Sequence, residues 1–321
     1  MRSQCKNRIL RGLGLLLAVL LLAGCGGSPG GPGPGKPDSG GTDEPVQGSW
    51  ESTPQVIALP ETEEEIIGDE DGIVQIDISH VEDGIIQVSY NGENEKPLLC
   101  VTVPDGETRY QYVLSAQQKK ENFPLTRGSG TYTVKVYEQL EGEDYAVLFA
   151  AELPAEITNE MGPFLYANYY CRFNDRTAAV KKGGELAFTA NSELDVVQNV
   201  YNFVISHVEY DYDKAETVQY GYVPNVDDTL ASGKGICFDY AALMVSMLRS
   251  QGIPTRLDVG YMRDIYHAWI SVYVPEQGWI NGVIQFDGKK WNMMDPTSGA
   301  ALGKDVNAVG SGEDYLCQLS Y

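Results

Sequence analysis

A single thiol, Cys237, lies where its neighbours favour nucleophilic chemistry. It follows the glycine-containing run GKGI and opens a stretch that ends at Gly252 and Pro254. Four apolar residues recur along this stretch at helical spacing: Tyr240, Met244, Met247 and Leu248. N–H groups at a helix start are unpaired and carry partial positive charge, so they stabilise a thiolate and can hold an oxyanion beside it. The sequence therefore predicts a helix that begins at a reactive thiol.

Such a thiol needs a general base, and the chain has three histidines. His80 lies far upstream in a segment of different composition, and His207 lies near a predicted helix end. His267 opens the alternating run HAWISVYV, which predicts a strand with His267 and Trp269 on the same face. A base on a strand beside a nucleophile on a helix start is held rigidly within reach. His267 is therefore the candidate base.

A third group, an acid, should orient the imidazole. Asp295 is the candidate, because it ends a second strand-like run, WNMMD, and is followed by proline. In the alternative, Asp295 is a turn residue whose carboxylate caps the next backbone groups. Asp239 and Asp258 lie nearer in sequence, but neither follows the histidine at a strand end.

Four ordered blocks carry a family resemblance: GICFDYA around the thiol, the turn GIP, then HAW, then W followed by DPT. Together they resemble the transglutaminase-like superfamily, which is grouped with the papain-like cysteine enzymes, over residues 194–298. The resemblance implies an α+β fold with Cys237 as nucleophile, His267 as general base and acid, and Asp295 as orienting acid. It also implies that the cysteine helix packs on an antiparallel sheet bearing the other two residues. It does not specify a substrate, because the superfamily includes transamidases, peptidases, deamidases and inactive scaffolds.

A polar, tyrosine-rich stretch precedes the cysteine helix, and in this family that region helps to form the cleft. Tyr210 and Tyr212 are therefore candidates for a second oxyanion donor. The alternative for each is a tyrosine whose ring packs and whose hydroxyl faces water. Trp269 is a further candidate for the cleft, since it is expected to pack around the imidazole.

The chain begins with the pattern of an export signal. Basic residues precede an apolar run at 13–22, which is too short for a comfortable membrane span. This run ends in Leu-Ala-Gly-Cys at residues 22–25, which resembles the lipobox of bacterial lipoproteins and implies lipidation of Cys25. The alternative is an ordinary secretory signal. We therefore predict a signal peptide at 1–24 and a flexible Gly/Pro-rich tether at 25–60.

The next hundred or so residues, 61–156, read as a β-sandwich. Six runs have strand character: 73–79, 85–90, 98–103, 109–114, 130–138 and 144–153. Turn signals such as Asp83-Gly84 separate them, and the run GTYTVKV resembles immunoglobulin-like or fibronectin-like modules. We therefore predict an immunoglobulin-like domain at 61–156 and the catalytic domain at 157–321.

The composition excludes several functions. A net charge of −22 and a pI near 4.4 argue against binding to nucleic acid or to anionic lipid, both of which require basic residues. No Cys-x-x-Cys or His-x-x-x-His pair is present, so neither a zinc site nor another cofactor is expected. Cys100, Cys171 and Cys317 have no close spacing and make a poor disulfide framework, although a Cys100–Cys171 bridge is left open.

These observations favour a thiol enzyme held by a lipid anchor on the extracytoplasmic face of the cell membrane. It would cleave or transfer the acyl group of an amide in an envelope protein or peptide through a thioester. Hydrolysis by a cysteine peptidase or amidase is preferred, because a thioester meets far more water than amine. The alternatives are a transamidase that cross-links proteins and a non-catalytic envelope scaffold.

Overall fold

The structure is a computed structural model that describes residues 46–51, 56–114, 119–142, 144–275, 277–281, 283–286, 291–294 and 315–321. The predicted signal peptide, the lipidation residue Cys25 and the candidate acid Asp295 lie outside the described residues. Within the described ranges, no helix has both the length and the apolar character needed to cross a bilayer.

Eight strands lie in the described part of the N-terminal half: β1 (Ile66–Gly68), β2 (Val74–Asp77), β3 (Ile85–Tyr90), β4 (Leu98–Thr102), β5 (Arg109–Val113), β6 (Glu121–Pro124), β7 (Gly130–Gln139) and β8 (Tyr145–Ala155). They form two antiparallel four-stranded sheets, one in the order β1-β2-β3-β6 and the other in the order β5-β4-β7-β8. All six runs expected from the sequence form strands here, and the short strands β1 and β6 are additional. The immunoglobulin-like assignment stays a prediction.

The two sheets share buried residues because their strands alternate inward and outward side chains. In β7, Tyr132, Val134 and Val136 have no measurable exposure, and they join Ile76 of β2 and Phe123 of β6 in one core. Cys100 and Cys171 are both free thiols, so the bridge that was left open does not form.

The C-terminal half has five helices in its described residues: α1 (Ala178–Ala187), α2 (Glu193–His207), α3 (Tyr212–Thr217), α4 (Val226–Ser232) and α5 (Cys237–Arg249). Ser192 caps α2, since its side chain accepts a hydrogen bond from the Asp195 N–H at 3.2 Å. Helix α5 is the central element, because every residue from Tyr240 to Arg249 is buried. It ends where Gly252 adopts a φ of 76°, as the sequence predicts.

Eight further strands complete the described C-terminal half: β9 (Glu209–Tyr210), β10 (Lys234–Gly235), β11 (Thr255–Met262), β12 (Ile265–Val274), β13 (Gly278–Asn281), β14 (Val283–Phe286), β15 (Trp291–Met294) and β16 (Tyr315–Ser320). The main sheet has the order β13-β12-β11-β16 and is antiparallel throughout. β14 and β15 form an antiparallel hairpin, and β9 and β10 form a short parallel pair.

Helix α5 packs against one face of the main sheet. Leu257 of β11 and Ala268, Ile270 and Val272 of β12 join the α5 side chains in the core. His267, Trp269 and Ser271 alternate with these residues along β12. They are also buried, at 7%, 2% and 0% exposed, so this part of β12 is enclosed on both sides.

An aromatic cluster joins the two halves of the chain. Tyr112 of β5 lies within 5.5 Å, ring to ring, of both Tyr169 and Tyr170, and within 5.9 Å of Tyr321. The Tyr169 hydroxyl also donates to the Val113 carbonyl of the same strand. The aromatic segment that follows the predicted domain joint therefore packs against both halves.

Residues 46–51 form what we call the strap, which docks on the turn between α1 and α2. Gly48 N–H donates to the Phe188 carbonyl at 2.8 Å, and Trp50 N–H donates to the Ala190 carbonyl at 2.9 Å. A Cβ atom at Gly48 would lie 2.0 Å from the Ala190 oxygen, so only glycine fits there. This end of the predicted tether is therefore held against the C-terminal half.

Candidate active site

Cys237 is the first residue of α5, and Ile236 is its N-cap. The N–H groups of Asp239 and Tyr240 both donate to the Ile236 carbonyl, at 2.9 and 3.1 Å. The helix itself does not use the N–H groups of Cys237 and Phe238, because the first turn of a helix has no preceding carbonyls for them. The thiol is half-buried. This arrangement provides a partly accessible sulfur beside donors that suit an oxyanion.

The chain approaches the thiol through a tight turn. The Asp239 carboxylate folds back and accepts a hydrogen bond from the Ile236 N–H at 2.8 Å. A Cβ atom at Gly235 would lie 2.7 Å from the Asp239 Cβ, which explains the glycine two residues before the thiol. The position of Cys237 is therefore fixed by a carboxylate that is completely buried.

The same carboxylate is bridged to the preceding segment. Lys214 Nζ lies 2.7 Å from Asp239 Oδ2, and the Tyr222 hydroxyl donates to Asp239 Oδ1. Lys214 Nζ also donates to the Tyr222 hydroxyl, at 2.6 Å. The family resemblance assigns no role to Lys214 or Tyr222, and nothing in the local sequence pattern indicates that they meet Asp239.

His267 is the third residue of β12 and is 7% exposed. Its ring stacks with Trp269 at a centroid distance of 6.3 Å, and Trp269 contacts Tyr315 of β16 at 5.2 Å. Trp269 itself is 2% exposed, so this tryptophan packs beside the imidazole and does not line an open surface.

Tyr266 precedes His267 on the base-bearing strand. Burial raises the pKa of the Tyr266 hydroxyl, and the neighbouring Tyr261 raises it further. Tyr266 is 41% exposed, so it lies at a surface open to solvent.

Asp258 is the carboxylate that the structure describes on the His267 face of the main sheet. It is 3% exposed, and it accepts hydrogen bonds from the hydroxyls of Ser271 and, at 2.5 Å, Ser320. Burial raises the pKa of Asp258, although these hydrogen bonds oppose the shift. Its oxygens therefore have serine partners. The orienting role assigned to Asp295 stays a prediction, since that residue lies outside the described ranges.

The two tyrosines expected near the oxyanion lie together. Tyr210 pairs in register with Gly235, and its ring is 5.0 Å from that of Tyr212. Tyr212 is 65% exposed, whereas Tyr210 is half-buried. Tyr210 is therefore the one held closer to the backbone that leads to the thiol. In the described part of the chain, no three His, Cys, Asp or Glu side chains are grouped to hold a metal ion.

Comparison with known proteins places this region in a family. The model of the Transglutaminase-like superfamily matches residues 183–282, a segment that includes Cys237 and His267 and ends before Asp295. An uncharacterized protein of Mycobacterium bovis is 29% identical over 104 residues, which cover 28% of this chain and 30% of that protein. The uncharacterized protein YebA of Bacillus subtilis is 30% identical over 214 residues, which cover 54% of this chain and 28% of YebA. The chain thus spans less than a third of the length of these relatives.

Two solved structures share remote similarity. The periplasmic domain of TgpA from Pseudomonas aeruginosa has 15% sequence identity to this chain and a TM-score of 0.32. The match covers 78% of this chain and 98% of the chain in that periplasmic-domain structure. Red sea bream transglutaminase has 12% identity and a TM-score of 0.28, over 72% of this chain and 53% of its own. Neither structure is similar enough to support a family assignment, so the assignment depends on the family model. That model spans the helix and the strand that bear Cys237 and His267, and the expected mixture of helix and sheet is confirmed. This chain therefore contains a domain of the transglutaminase-like superfamily.

Proposed function

We propose that this protein is a thiol enzyme that breaks an amide bond through a thioester on Cys237. The observation that carries the proposal is the place of Cys237 as the first residue of α5, where the N–H groups of the first turn favour a thiolate and an oxyanion. The match of the surrounding segment to the transglutaminase-like superfamily supports the same chemistry.

The Cys237 thiolate attacks the carbonyl carbon of the amide, and the carbonyl electrons move onto oxygen, where the N–H of Cys237 stabilises them. His267, as the imidazolium, gives its proton to the departing amine, and the C–N bond breaks to leave a thioester. Neutral His267 then takes a proton from water as the water attacks the thioester. The products are a carboxylic acid and the free thiolate. Asp295 would hold the imidazole in the correct tautomer.

The substrate class that we propose is an envelope protein or peptide, cleaved by a cysteine peptidase or amidase. This part of the proposal follows from the export signal and the lipobox-like run ending at Cys25, which would hold the protein at the extracytoplasmic face of the cell membrane. An amine in place of water at the second step would give a transamidase. A scaffold without activity would need none of these three residues.

Two measurements test the proposal. Iodoacetamide at about pH 6, where an ordinary thiol is almost fully protonated, should label Cys237 in the native chain and should label it far less in His267→Ala. Cys317 is the internal control. The residue as a whole is exposed, but partial burial of its sulfur and the nearby Asp258 raise the pKa of the thiol to about 11. Equal labelling of Cys237 and Cys317 would reject the enzyme.

The reaction type is decided by mass spectrometry of envelope peptides from cells with the native chain or with Cys237→Ala. New peptide ends that depend on Cys237 indicate hydrolysis, and new isopeptide bonds indicate transamidation. The absence of both would leave the scaffold as the better description.

A further inference from the structure

The start of α5 carries a buried negative charge close to the candidate nucleophile. Asp239 is two residues after Cys237 and its side chain is fully buried. A carboxylate in this position opposes the ionisation of a neighbouring thiol, because like charges repel strongly away from water. Taken alone, Asp239 would therefore counteract the favourable field of the helix start.

Lys214 provides the compensating charge. Its Nζ atom lies 2.7 Å from Asp239 Oδ2 and 2.6 Å from the Tyr222 oxygen, while the Tyr222 hydroxyl donates to Asp239 Oδ1. The three side chains thus form a closed triangle of hydrogen bonds. The Ile236 N–H is the third partner of the carboxylate, at 2.8 Å, and it belongs to the residue just before Cys237.

Tyr222 has a defined role in this triangle. Burial first, and then the Asp239 carboxylate, raise the pKa of its hydroxyl far above the ordinary value, so the hydroxyl stays protonated. At neutral pH it can therefore donate to Asp239 and accept from Lys214.

We propose that Lys214 is a positioning residue for Cys237: within its triangle with Tyr222 and Asp239, it cancels the carboxylate charge at the start of α5 and thereby preserves the thiolate. The inference rests on the proposed function, in which Cys237 is the nucleophile. Through Asp239, the segment from α3 to Tyr222 would influence the reacting sulfur, a role that neither the family match nor the motif around Cys237 provides.

Other titratable groups face the same region and must be unchanged in the test. Tyr266 approaches from β12, Asp228 of α4 acts on Tyr222, and Glu209 and Tyr210 of β9 act on Tyr240. None of them is altered by substitutions at Lys214 or Asp239. Shifts caused by those two substitutions therefore report the Lys214–Asp239 charge pair.

The experiment measures the rate of iodoacetamide labelling of Cys237 against pH, in the full chain, by quantifying the Cys237 peptide. Lys214→Met leaves the carboxylate unbalanced and should raise the midpoint of the profile by about one pH unit. Asp239→Asn leaves the ammonium unbalanced and should lower the midpoint. The double variant removes both charges and should return the midpoint to within about 0.3 unit of the native value, since the two effects cancel.

Opposite shifts of the labelling midpoint would show that charge is the cause, because a loss of packing would move the midpoints of both single variants in the same direction. The matched control is Lys120→Met, which likewise takes a lysine from a buried aspartate, Asp77, at a distance of 2.9 Å in the N-terminal half. It should lower the melting temperature without moving the Cys237 profile. If Lys214→Met does not fold, Asp239→Asn alone still tests the sign.

Unchanged midpoints in folded Lys214→Met and Asp239→Asn, or shifts of the same sign, would overturn the role of Lys214. Such a result leaves the proposed function intact as long as native Cys237 is labelled ahead of Cys317. Equal labelling of those two cysteines in the native chain would instead reject the proposed function.

Discussion

The rings of Tyr170 and Phe238 are 5.1 Å apart, so the residue next to the candidate nucleophile contacts the segment that joins the two halves of the chain. Tyr170 also packs 4.8 Å from Tyr321 and 5.5 Å from Tyr112. The start of α5 is therefore supported by an aromatic cluster whose members come from both halves.

Removal of the Tyr170 ring should destabilise both halves together. Tyr170→Ala loses a buried aromatic side chain at a site with rings on several sides, and we expect a loss of about 3–5 kcal/mol in the free energy of unfolding. Tyr170→Phe is the matched variant. It loses only a long hydrogen bond, 3.4 Å to the Gln111 carbonyl, and should cost less than about 1 kcal/mol. Urea denaturation followed by intrinsic fluorescence gives both values, and equal losses would contradict this packing argument.

Arg249 should be among the most sensitive residues of α5. It is completely buried and donates to the carbonyls of Thr255, Tyr166 and Tyr321 at 2.9, 2.8 and 2.7 Å. Burial lowers its pKa to about 10, so it remains a cation at neutral pH. Arg249→Met would leave three buried acceptors without a donor, and we expect a loss of about 3–5 kcal/mol.

The control for this substitution is Arg127→Met. Arg127 is exposed and donates to one carbonyl, that of Gln318, at 3.1 Å. Its removal should change the melting temperature very little, since single surface contacts are weak. A similar effect of the two substitutions would show that the three carbonyls find other donors.

Two buried aspartates should give opposite dependences of stability on pH. Burial acts to raise the pKa of Asp77, but hydrogen bonds from Ser79 and Lys120 outweigh it and the pKa is lowered. Its contribution to stability is therefore present above the unfolded pKa and is lost as pH falls through the folded value. For Asp258 burial prevails and the pKa is raised, so its contribution is present at low pH and is lost as pH rises through the folded value.

Urea denaturation from about pH 3 to pH 7 tests this difference in sign. Relative to the native chain, Asp77→Asn should be least stable near neutral pH and should converge with it in acid. The stability of Asp258→Asn relative to that of the native chain should increase as the pH rises. If both variants followed the native curve at a constant offset, the two carboxyl groups would not titrate as their surroundings require.

Gly48 should control the docking of the strap. Gly48→Val places side-chain atoms where the Ala190 carbonyl lies, so the two backbone hydrogen bonds of residues 46–51 should be lost. We expect faster amide exchange at Trp50 and a loss of about 1–2 kcal/mol, since each bond contributes about 1 kcal/mol. Val46→Ala is the control in the same segment, because Val46 is 84% exposed. Unchanged exchange at Trp50 in Gly48→Val would contradict the observed docking.

The sequence could predict the elements whose local pattern is strong. Helices α2 and α5 have clear helical periods and good start signals, and α5 begins at Cys237 as expected. Helix α1 was not predicted, because Gly183 and Gly184 weaken its pattern. The structure explains Gly183, since a Cβ atom there would lie 2.9 Å from the Met247 carbonyl where α1 crosses α5.

Other features could not be predicted because their causes are not local. Strand β16 was not predicted, and the register shift between Val259 and Gly260 of its partner disturbs the alternation that would have indicated it. Lys214 stands in a polar run and is 25 residues from Asp239, so its ion pair depends entirely on the fold. The prediction of Cys237 and His267 was possible because their neighbours form blocks that resemble a family.

Contacts between the two halves limit where the chain can be cut into separate domains. The strap comes from the beginning of the described chain yet docks on the α1–α2 turn, and Tyr321 from its end packs against Tyr110 and Tyr112 of the first half. A recombinant fragment of residues 157–321 would therefore lack the strap, and it would expose aromatic side chains beside the helix that bears the thiol. We expect such a fragment to be less stable and prone to aggregation, whereas the full chain keeps these aromatic side chains buried.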